Sequence, residues 1–394
     1  MCSRVGHRTV AVFAGGGTGG HLYPALALAE ALSGLRPDVD AFFVGAQQGL
    51  EARILPERGL DHHLLPVRGF RRGRILENVG VLWALLRSLV STGLLFSRLR
   101  PSLVVVTGGY AGGPAGLVAG LMGIPLALQE QNAQPGFTSR VLSRWARQIH
   151  VAFPEARDTL SPRARDRARL SGNPVREVEL HDPAAAKARF GLDDGFRVVL
   201  VVGGSQGAKA LNTAVLELVR GVSGGIVERP EDVHLLWATG PKNLGWVQDR
   251  LRELGGVDWV HPVGYIQEMP EALSAATLAV TRAGAMTTSE LLAWGVPAIL
   301  VPLPTAAADH QTRNAESLAR AGAAVHLPEK DMPGGALWKR LVSLLSTPET
   351  LAAMAKAALE LGRPKAAREI AEALDLMLPR PSSPGGQRLR GVTA

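Results

Sequence analysis

Residues 9–32 read TVAVFAGGGTGGHLYPALALAEAL. An apolar run over residues 10–13 stops at a burst of glycines, and an alanine- and leucine-rich helical pattern follows it. A strand, a glycine loop and a helix in this order aim backbone N–H groups and the positive end of a helix at a phosphate. The stretch therefore predicts an α/β fold with an anion site at the first strand–helix junction.

The same construction recurs later in the chain. Residues 198–208 repeat it as VVLVVGGSQGA. A second echo pairs residues 104–129, VVVTGGYAGGPAGLVAGLMGIPLALQ, with residues 278–302, LAVTRAGAMTTSELLAWGVPAILVP. The repetition predicts two doubly wound Rossmann-like domains that face each other across a cleft, with these loops at the carboxyl ends of the strands.

Short apolar runs alternate with helical patterns along most of the chain. The strands predicted for a first parallel sheet are residues 10–13, 41–44, 103–106, 126–128 and 148–152. The strands predicted for a second sheet are residues 197–202, 233–238, 278–281 and 298–301. The domains we expect span residues 1–175 and 176–362, with a C-terminal helix over 363–378 that returns to the first domain and a disordered tail over 379–394.

Composition narrows the class of protein. The chain has 394 residues, which is enough for two domains with their own cores, and 46% of them are hydrophobic. The net charge of +8 suits anionic partners, although a genome biased toward arginine explains it equally well. The single cysteine, Cys2, cannot build a disulfide framework or a zinc cluster. The longest apolar window, residues 79–96, is divided by Arg87, so we expect a cytosolic protein without a spanning helix.

The first glycine loop satisfies one requirement of a dinucleotide site and fails another. Residues 15–20 match G-x-G-x-x-G in the required context between a strand and a helix. A dinucleotide site also needs an acidic residue at the end of the second strand, but residues 45–48 there read GAQQ. The sequence therefore counts against NAD binding and still predicts phosphate binding.

Two residues of the first half are candidate proton acceptors. His21 lies at the mouth of the loop, where it could deprotonate a hydroxyl near a bound phosphate, or could simply cap or pack the helix. A neighbouring phosphate would raise the pKa of His21, and a helix N-terminus would lower it. Glu130 ends the predicted strand 126–128 with an amide pair, Gln131 and Asn132, that could hydrogen-bond sugar hydroxyls. Glu130 is the second candidate base.

Polar residues also follow the strands of the second half. Ser205 in the loop GGSQGA suits a diphosphate or forms a polar turn. In RAGAMTTSE, residues 282–290, Thr287 and Glu290 fit a capping box, or Glu290 accepts both hydroxyls of a ribose. Residues 309–311 and Asn314 predict a sugar-binding edge. The sequence offers no metal cluster, so helix dipoles, N–H groups and arginine would have to meet the charge of a leaving diphosphate.

Residues 67–98 combine a basic cluster with an apolar helical pattern. The pattern indicates either a partly buried core helix with a basic loop or a segment that docks on an anionic leaflet. The residues expected at the membrane are Arg71, Arg72, Arg74, Ile75, Val79, Leu82 and Trp83.

Seven motifs occur in the order typical of one family. They are GGGTGGH (15–21), TGGYAGGPAG (107–116), EQN (130–132), GNPVR (172–176), GGSQGA (203–208), RAGAMTTSE (282–290) and DHQTRNA (309–315). Over about residues 8–375 the chain resembles the bacterial transferases that add N-acetylglucosamine to undecaprenyl-diphospho-muramoyl-pentapeptide, converting lipid I to lipid II. The resemblance implies a GT-B fold, UDP-N-acetylglucosamine as donor, inversion of the anomeric centre and a peripheral place on the cytoplasmic face of the inner membrane. It also implies a role in peptidoglycan synthesis, and so in cell-wall biogenesis, cell shape and cell division.

The resemblance also implies residue roles. The donor-binding residues would be Thr18, Gly19, Gly20, Asn132, Arg176, Ser205, Ile266, Ala285, Met286, Thr287, Thr288, Ser289, Glu290 and Gln311. The acceptor diphosphate would lie against Gly16, Gly17, Thr18, Gly108, Gly109 and Tyr110. His21 would be the base for the muramoyl 4-hydroxyl. Two positions depart from the family, which often has His where Gln129 stands and Ser where Ala283 stands.

The implied partners are lipid I, anionic inner-leaflet lipid and other cell-wall synthesis proteins, and not nucleic acid. The resemblance implies no tightly bound cofactor, with a divalent cation such as Mg²⁺ as an optional aid. Three other readings stay open on the residues alone: a UDP-sugar epimerase or glycolipid synthase of the same fold, a dinucleotide-dependent oxidoreductase, and a non-enzymatic nucleotide-binding protein. The motif order disfavours the first, and the missing acid after Val44 disfavours the second.

Overall fold

The computed structural model describes residues 9–69, 75–255, 257–332 and 335–380, with the backbone alone at 75–79. The expected tail from residue 381 and the basic residues Arg71, Arg72 and Arg74 lie outside these ranges. For Ile75 and Val79 the structure gives helical backbone and no side-chain placement.

A parallel sheet of seven described strands forms the first half. In chain order the strands are β1 (Thr9–Gly15), β2 (Val39–Ala46), β3 (His62–Leu65), β4 (Leu103–Gly108), β5 (Leu126–Glu130), β6 (Gln148–Val151) and β7 (Ala168–Leu170). Their spatial order is β3-β2-β1-β4-β5-β6-β7. The central strands are buried on both faces because helices cover the sheet on both sides. This topology places the turn after β1 beside the turn after β4.

The helices of the first half differ in length and in what they cover. They are α1 (Gly19–Leu35), α2 (Glu51–Glu57), α3 (Ile75–Leu99), α4 (Gly109–Leu121), α5 (Phe137–Leu142), α6 (Pro154–Asp158) and α7 (Pro162–Arg165). Both α1 and α4 begin directly at glycine turns, so their N-termini lie at the same edge of the sheet.

A second parallel sheet of six described strands forms the other half. Its strands are β8 (Arg197–Val202), β9 (Val233–Ala238), β10 (Val260–Val263), β11 (Ala276–Thr281), β12 (Ala298–Leu300) and β13 (Ala324–His326). They lie in the order β10-β9-β8-β11-β12-β13. The two halves thus share one arrangement, in which the first strand of each lies inside the sheet and carries a glycine loop.

The helices of the second half continue to residue 375. They are α8 (Pro183–Arg189), α9 (Lys209–Ser223), α10 (Leu244–Glu253), α11 (Met269–Ala275), α12 (Ala285–Trp294), α13 (His310–Arg320), α14 (Ala336–Leu345), α15 (Pro348–Leu361) and α16 (Ala366–Asp375). Two 3₁₀ turns, Ala307–Asp309 and Glu329–Asp331, precede and follow α13.

The last helix crosses back to the first half. Ile370 and Leu374 of α16 are fully buried in the cluster that also contains the apolar face of α1. Arg36, just after α1, donates to Asp375 and to the carbonyl of Pro379. The chain therefore joins the two sheets twice, once before α8 and once between α15 and α16.

All nine predicted strands occur, and four observed strands were not predicted. The four are β3, β7, β10 and β13, which are the two edges of each sheet. Edge strands have one unpaired side, so they stay short and tolerate polar residues and proline. Pro262 in β10 and the pair His62-His63 in β3 show why no apolar run marked these segments.

One face of α3 packs on the first domain and the other is exposed. Ser88 and Phe96 are buried, whereas Leu82, Trp83 and Val90 are 54%, 64% and 65% exposed. By length and composition alone, residues 80–99 are long and apolar enough to cross a membrane. Because the inner face of α3 contacts α4, the helix lies along the domain and presents an apolar stripe outward.

Candidate active site

The first glycine loop places a histidine against a threonine at the start of α1. The Thr18 side chain makes no cap bond to the helix backbone, and its Oγ1 lies 3.1 Å from Nδ1 of His21. The hydroxyl of Thr107, from β4, donates to the carbonyl of His21 at 2.7 Å. The first contact holds the imidazole ring of His21, and the second holds its backbone carbonyl.

Burial and a neighbouring charge act on the imidazole. Burial, and to a smaller extent the electrostatic influence of His310, lowers the pKa of His21 to about 4. His310 begins α13 in the second half, so its influence comes from across the cleft. The ring packs over Gly108, where an added Cβ would lie 2.8 Å from its Cδ2. His21 is therefore neutral at physiological pH, which is the state that a general base requires.

The turn after β4 interlocks with the first glycine loop. A Cβ added at Gly109 would lie 2.1 Å from the carbonyl oxygen of Gly16. The ring of Tyr110 packs on Gly17, and burial together with the negative charge of Glu51 raises the pKa of that tyrosine. The residues predicted for an acceptor diphosphate in these two turns are therefore neighbours.

Glu51 holds this loop from inside the domain, and the sequence analysis missed it. Its side chain is fully buried, and its Oε1 accepts hydrogen bonds from Gly17 N and Ala46 N, both at 2.8 Å. The N–H of Gly17 is thus already engaged within the protein, and the placement of an acceptor diphosphate against Gly16 and Gly17 stays a prediction. The signal in the sequence was an acid at the start of a helix after the second strand, with glycines at 45 and 49 against it.

Glu130, the second candidate base, is tied to its own loop. Its Oε1 accepts from the backbone N–H of Asn132 at 3.0 Å, and its Oε2 accepts from Gly136 N at 3.1 Å. The residue is 4% exposed. Both oxygens therefore brace residues 130–136, which favours a structural role, and its part in proton transfer stays a prediction.

In the second half, Arg176 and Glu290 form an ion pair. Arg176 Nε lies 2.8 Å from Glu290 Oε1, with side chains 46% and 17% exposed. Burial raises the pKa of Glu290, and Arg176 opposes that rise. The capping-box interpretation was wrong, because α12 begins at Ala285 with Gly284 as its N-cap, three residues before the predicted cap Thr287.

Other side chains at the start of α12 are engaged within the protein. The hydroxyl of Thr288 donates to the carbonyl of Ala285 at 3.0 Å. Ser289 Oγ accepts from Asn173 Nδ2 at 2.9 Å, and Asn173 also binds the carbonyl of Gln131. Asn173, in the segment between β7 and α8, therefore contacts both halves of the protein. Met286 and Thr287 are partly exposed on the same helix end.

The remaining predicted donor residues differ in their surroundings. Ser205 is exposed in the loop after β8, whereas Ile266 is 3% exposed and its side chain lies in the core. Gln311 Oε1 accepts from Leu303 N at 2.9 Å, which fixes the proline-rich loop after β12. Ile266 could reach a ligand through its backbone only.

Asparagine side chains connect the two halves beside the cleft. Asn314 Oδ1 accepts from Ala133 N at 2.9 Å, and its Nδ2 donates to Asn132 Oδ1 at 3.2 Å. Asn314 is fully buried. The structure thus brings Asn132 to the second half, while His21 and the Arg176–Glu290 pair lie on opposite domains. In the described parts of the chain no cluster of His, Cys, Asp or Glu is arranged to hold a metal ion.

Models of one family match both halves of the chain. The glycosyltransferase family 28 N-terminal domain matches residues 11–151, and the family's C-terminal domain matches residues 198–373. Together these matches cover both glycine loops and most of each sheet.

Curated relatives match nearly the whole chain. The UDP-N-acetylglucosamine–N-acetylmuramyl-(pentapeptide) pyrophosphoryl-undecaprenol N-acetylglucosamine transferase of Salinibacter ruber is 43% identical over 358 residues, 91% of this chain and 94% of the relative. The transferase of the same description from Moorella thermoacetica is 40% identical over 370 residues, 92% of this chain and 97% of the relative.

Solved structures agree on the fold. The crystal structure of Acinetobacter baumannii MurG superposes with a TM-score of 0.74 at 28% identity, covering 93% of this chain and 99% of that one. A putative UDP-N-acetylglucosamine 2-epimerase from Listeria monocytogenes reaches a TM-score of 0.63 at 17% identity, over 93% and 96% of the two chains, and shows the fold alone. With two facing domains and relatives of this identity and coverage, the chain belongs to glycosyltransferase family 28 and is an N-acetylglucosaminyltransferase of the same family as these relatives.

Proposed function

We propose that this enzyme transfers N-acetylglucosamine from UDP-N-acetylglucosamine to the 4-hydroxyl of the muramoyl residue of undecaprenyl-diphospho-muramoyl-pentapeptide. The reaction forms lipid II for peptidoglycan synthesis. The observation that carries the proposal is the placement of a neutral histidine on one domain opposite a carboxylate–guanidinium pair on the other. Such a cleft can hold an acceptor and a nucleotide sugar at the same time.

The second domain would bind the donor. Glu290 is suited to accept the two ribose hydroxyls, and Arg176 is suited to the diphosphate. In the structure the two side chains satisfy each other at 2.8 Å. Donor binding would exchange that ion pair for contacts with the nucleotide, while the N–H groups at the start of α12 and the loop holding Ser205 face the phosphates.

The first domain would supply the base. His21 Nε2 would take the proton of the muramoyl 4-hydroxyl while Nδ1–H donates to Thr18 Oγ1, 3.1 Å away. The acceptor oxygen then forms a bond to C1 of N-acetylglucosamine, and the bond from C1 to the diphosphate oxygen breaks. Attack from the opposite face inverts the anomeric centre. The departing UDP keeps the electron pair, and Arg176 and helix N-termini stabilise its charge.

The acceptor diphosphate would lie at the N-terminus of α1. The N–H groups of Thr18, Gly19 and Gly20 have no intrahelical partner at this first turn. The turn holding Gly109 and Tyr110 forms the other wall. Because Gly17 N–H is bound to Glu51, the site we propose begins at Thr18 rather than at Gly16.

The enzyme would reach its lipid-linked substrate by docking on the cytoplasmic face of the inner membrane. The exposed stripe Leu82, Trp83, Leu86, Val90 and Leu94 on α3 supports this. Each basic residue near an acidic leaflet contributes about 1 kcal/mol, so Arg71, Arg72 and Arg74 would add a reversible, salt-sensitive term.

Incubation with UDP-N-acetylglucosamine and a short-chain lipid I analogue tests the reaction. We expect UDP release that requires the acceptor, together with a product heavier by one N-acetylglucosamine. Conversion of UDP-N-acetylglucosamine to another sugar nucleotide without acceptor would instead indicate an epimerase. Donor binding without either reaction would indicate a non-enzymatic nucleotide-binding protein.

Sedimentation with vesicles tests the docking. We expect binding to anionic vesicles that weakens with salt, weakens when Arg71, Arg72 and Arg74 become Ser, and weakens when Trp83 becomes Ser. Leu180→Ser is the matched control, because Leu180 is an apolar residue that is 73% exposed and lies outside α3, between β7 and α8. Equal partitioning of all variants would exclude this segment as the anchor.

A further inference from the structure

Glu51 is a buried acid that the reaction as described does not use. It begins α2, its exposure is 0%, and its carboxylate lies directly beneath the first glycine loop. Among the described residues, the hydrogen bonds to its carboxylate come from backbone N–H groups: Gly17 at 2.8 and 3.1 Å and Ala46 at 2.8 Å. A charged group is costly to bury, so its place in the core needs a reason.

The surrounding glycines leave space for the Glu51 side chain because they have no Cβ atom. A Cβ at Gly16 would lie 1.9 Å from Glu51 Oε1, and a Cβ at Gly49 would lie 2.3 Å from its Cδ. A Cβ at Gly45 would lie 2.3 Å from its Cγ. Three separate turns of the chain thus leave room for one side chain, so β2, α2 and the glycine loop are assembled around it.

The loop that Glu51 holds leads directly to the base. Gly17 is fixed on one side by the carboxylate and on the other by the ring of Tyr110. The next residue, Thr18, carries the hydroxyl that contacts His21 Nδ1 at 3.1 Å. Any movement of the peptide before Gly17 would therefore shift Thr18 and change the orientation of the imidazole.

We propose that Glu51 is a positioning residue for catalysis: by accepting Gly17 N–H and Ala46 N–H it fixes the glycine loop that orients Thr18 and His21. The proposal rests on the role proposed for His21 as base. Glu51 itself touches no substrate. Its carboxylate also turns the Gly17 N–H inward, so that the anion site is confined to the N-terminus of α1.

Two substitutions separate the hydrogen bonds that the Glu51 side chain accepts from its charge. Glu51→Ala removes the acceptor of both bonds, and we expect kcat to fall by about 10²-fold, the loss typical of a displacement of about 1 Å. Glu51→Gln can keep its carbonyl oxygen at the position of Oε1, which receives both 2.8 Å bonds, but its NH₂ group replaces Oε2, which accepts from Gly17 N at 3.1 Å. We therefore expect a kcat between those of wild type and Glu51→Ala. The KM for UDP-N-acetylglucosamine should change little in both.

Two readouts report positioning directly. Hydrogen exchange of residues 15–20 should speed up in Glu51→Ala and stay slow in Glu51→Gln, because Gly17 N–H loses its acceptor only in the first. The acidic limb of the kcat/KM pH profile should move to higher pH in Glu51→Ala, because a released His21 gains contact with water. Glu57→Ala, an exposed acid of the same helix, is the matched control.

The outcomes distinguish the positioning role of Glu51 from the base role of His21. A folded Glu51→Ala with wild-type kcat and an unmoved acidic limb would overturn the proposal, as would a Glu51→Gln impaired as strongly as Glu51→Ala. Should Glu51→Ala not fold, Glu51→Asp keeps the acid and withdraws its carboxyl group by one methylene, and it should lose kcat while it still folds. A wild-type rate in His21→Ala contradicts the base role, whereas an impaired His21→Ala beside a wild-type Glu51→Ala contradicts the positioning role alone.

Discussion

The glycine loops after β1 and β8 share a sequence pattern and differ in what holds them. The first is braced by side chains, with Glu51 on one side of Gly17 and Tyr110 on the other. In the second, a Cβ at Gly207 would lie 2.0 Å from the carbonyl oxygen of Thr239, and the neighbouring side chain is the amide of Asn243 rather than a buried acid. The buried acid therefore distinguishes the first loop, which leads directly to His21.

This difference follows the division of labour that we propose. The first loop carries His21, whose pKa is lowered by burial and by His310 across the cleft. The second loop carries Ser205, an exposed hydroxyl that does not titrate near neutral pH. The two halves thus share a strand–loop–helix arrangement, and the side chains around each loop are what distinguish them.

The largest effect should come from the base. His21→Ala should lower kcat by about 10²–10⁴-fold, the range for a lost general base. The Kd for UDP should change little, because the nucleotide is assigned mainly to the second domain. Steady-state kinetics and calorimetric titration with UDP measure the two quantities. A normal kcat would show that His21 is not the base and that the first loop has a structural role. Glu130 would then be tested as the base.

A substitution in the loop after β8 should change the stability of the protein. Gly207→Ala introduces a Cβ against Thr239 O at a φ of +72°, and we expect the free energy of unfolding to fall by about 2–4 kcal/mol. Gly204→Ala is the matched control, since Gly204 also has a positive φ but nothing lies within 4 Å of its added Cβ. Urea denaturation should show a loss of about 1 kcal/mol there. Equal losses would show that the close approach to Thr239 is not what fixes the loop.

A smaller effect should come from the donor carboxylate. Glu290→Ala should raise the KM for UDP-N-acetylglucosamine by about 10- to 150-fold, which corresponds to about 1.5–3 kcal/mol for hydrogen bonds to a charged group. The thermal midpoint should hold, because α12 begins at Ala285 and does not use Glu290 as a cap. A normal KM with about 1 kcal/mol of lost stability would assign Glu290 a structural role instead.

The smallest effect should appear in the pH dependence. The pKa of His21 is about 4 in the folded protein against 6.5 for the free side chain, so the unfolded chain binds more protons between these values. Stability from this residue is therefore complete above pH 6.5 and declines as the pH falls toward 4. The acidic limb of kcat/KM should lie near pH 4, and that of kcat should lie higher, because a bound acceptor diphosphate raises the pKa of His21. An acidic limb of kcat/KM near 6.5, unchanged in kcat, would contradict a buried base.

The sequence alone determined the two-sheet fold. Central strands such as β1 and β8 are buried on both faces, so each appears as an unbroken apolar run before a glycine loop. Local order along the chain also identified His21 and the polar residues at the ends of the strands, because parallel strands bring their carboxyl ends to one edge.

Only the tertiary structure decided which of these residues meet. The edge strands β3, β7, β10 and β13 depend on pairing with a neighbour and carry too few apolar residues to be recognised alone. Arg176 and Glu290 lie 114 residues apart, and Asn132 and Asn314 lie 182 apart, so no local pattern predicts their contacts. Glu51 was missed for the same physical reason: a buried acid is recognised by the N–H groups that surround it, and Gly17 lies 34 residues away in sequence.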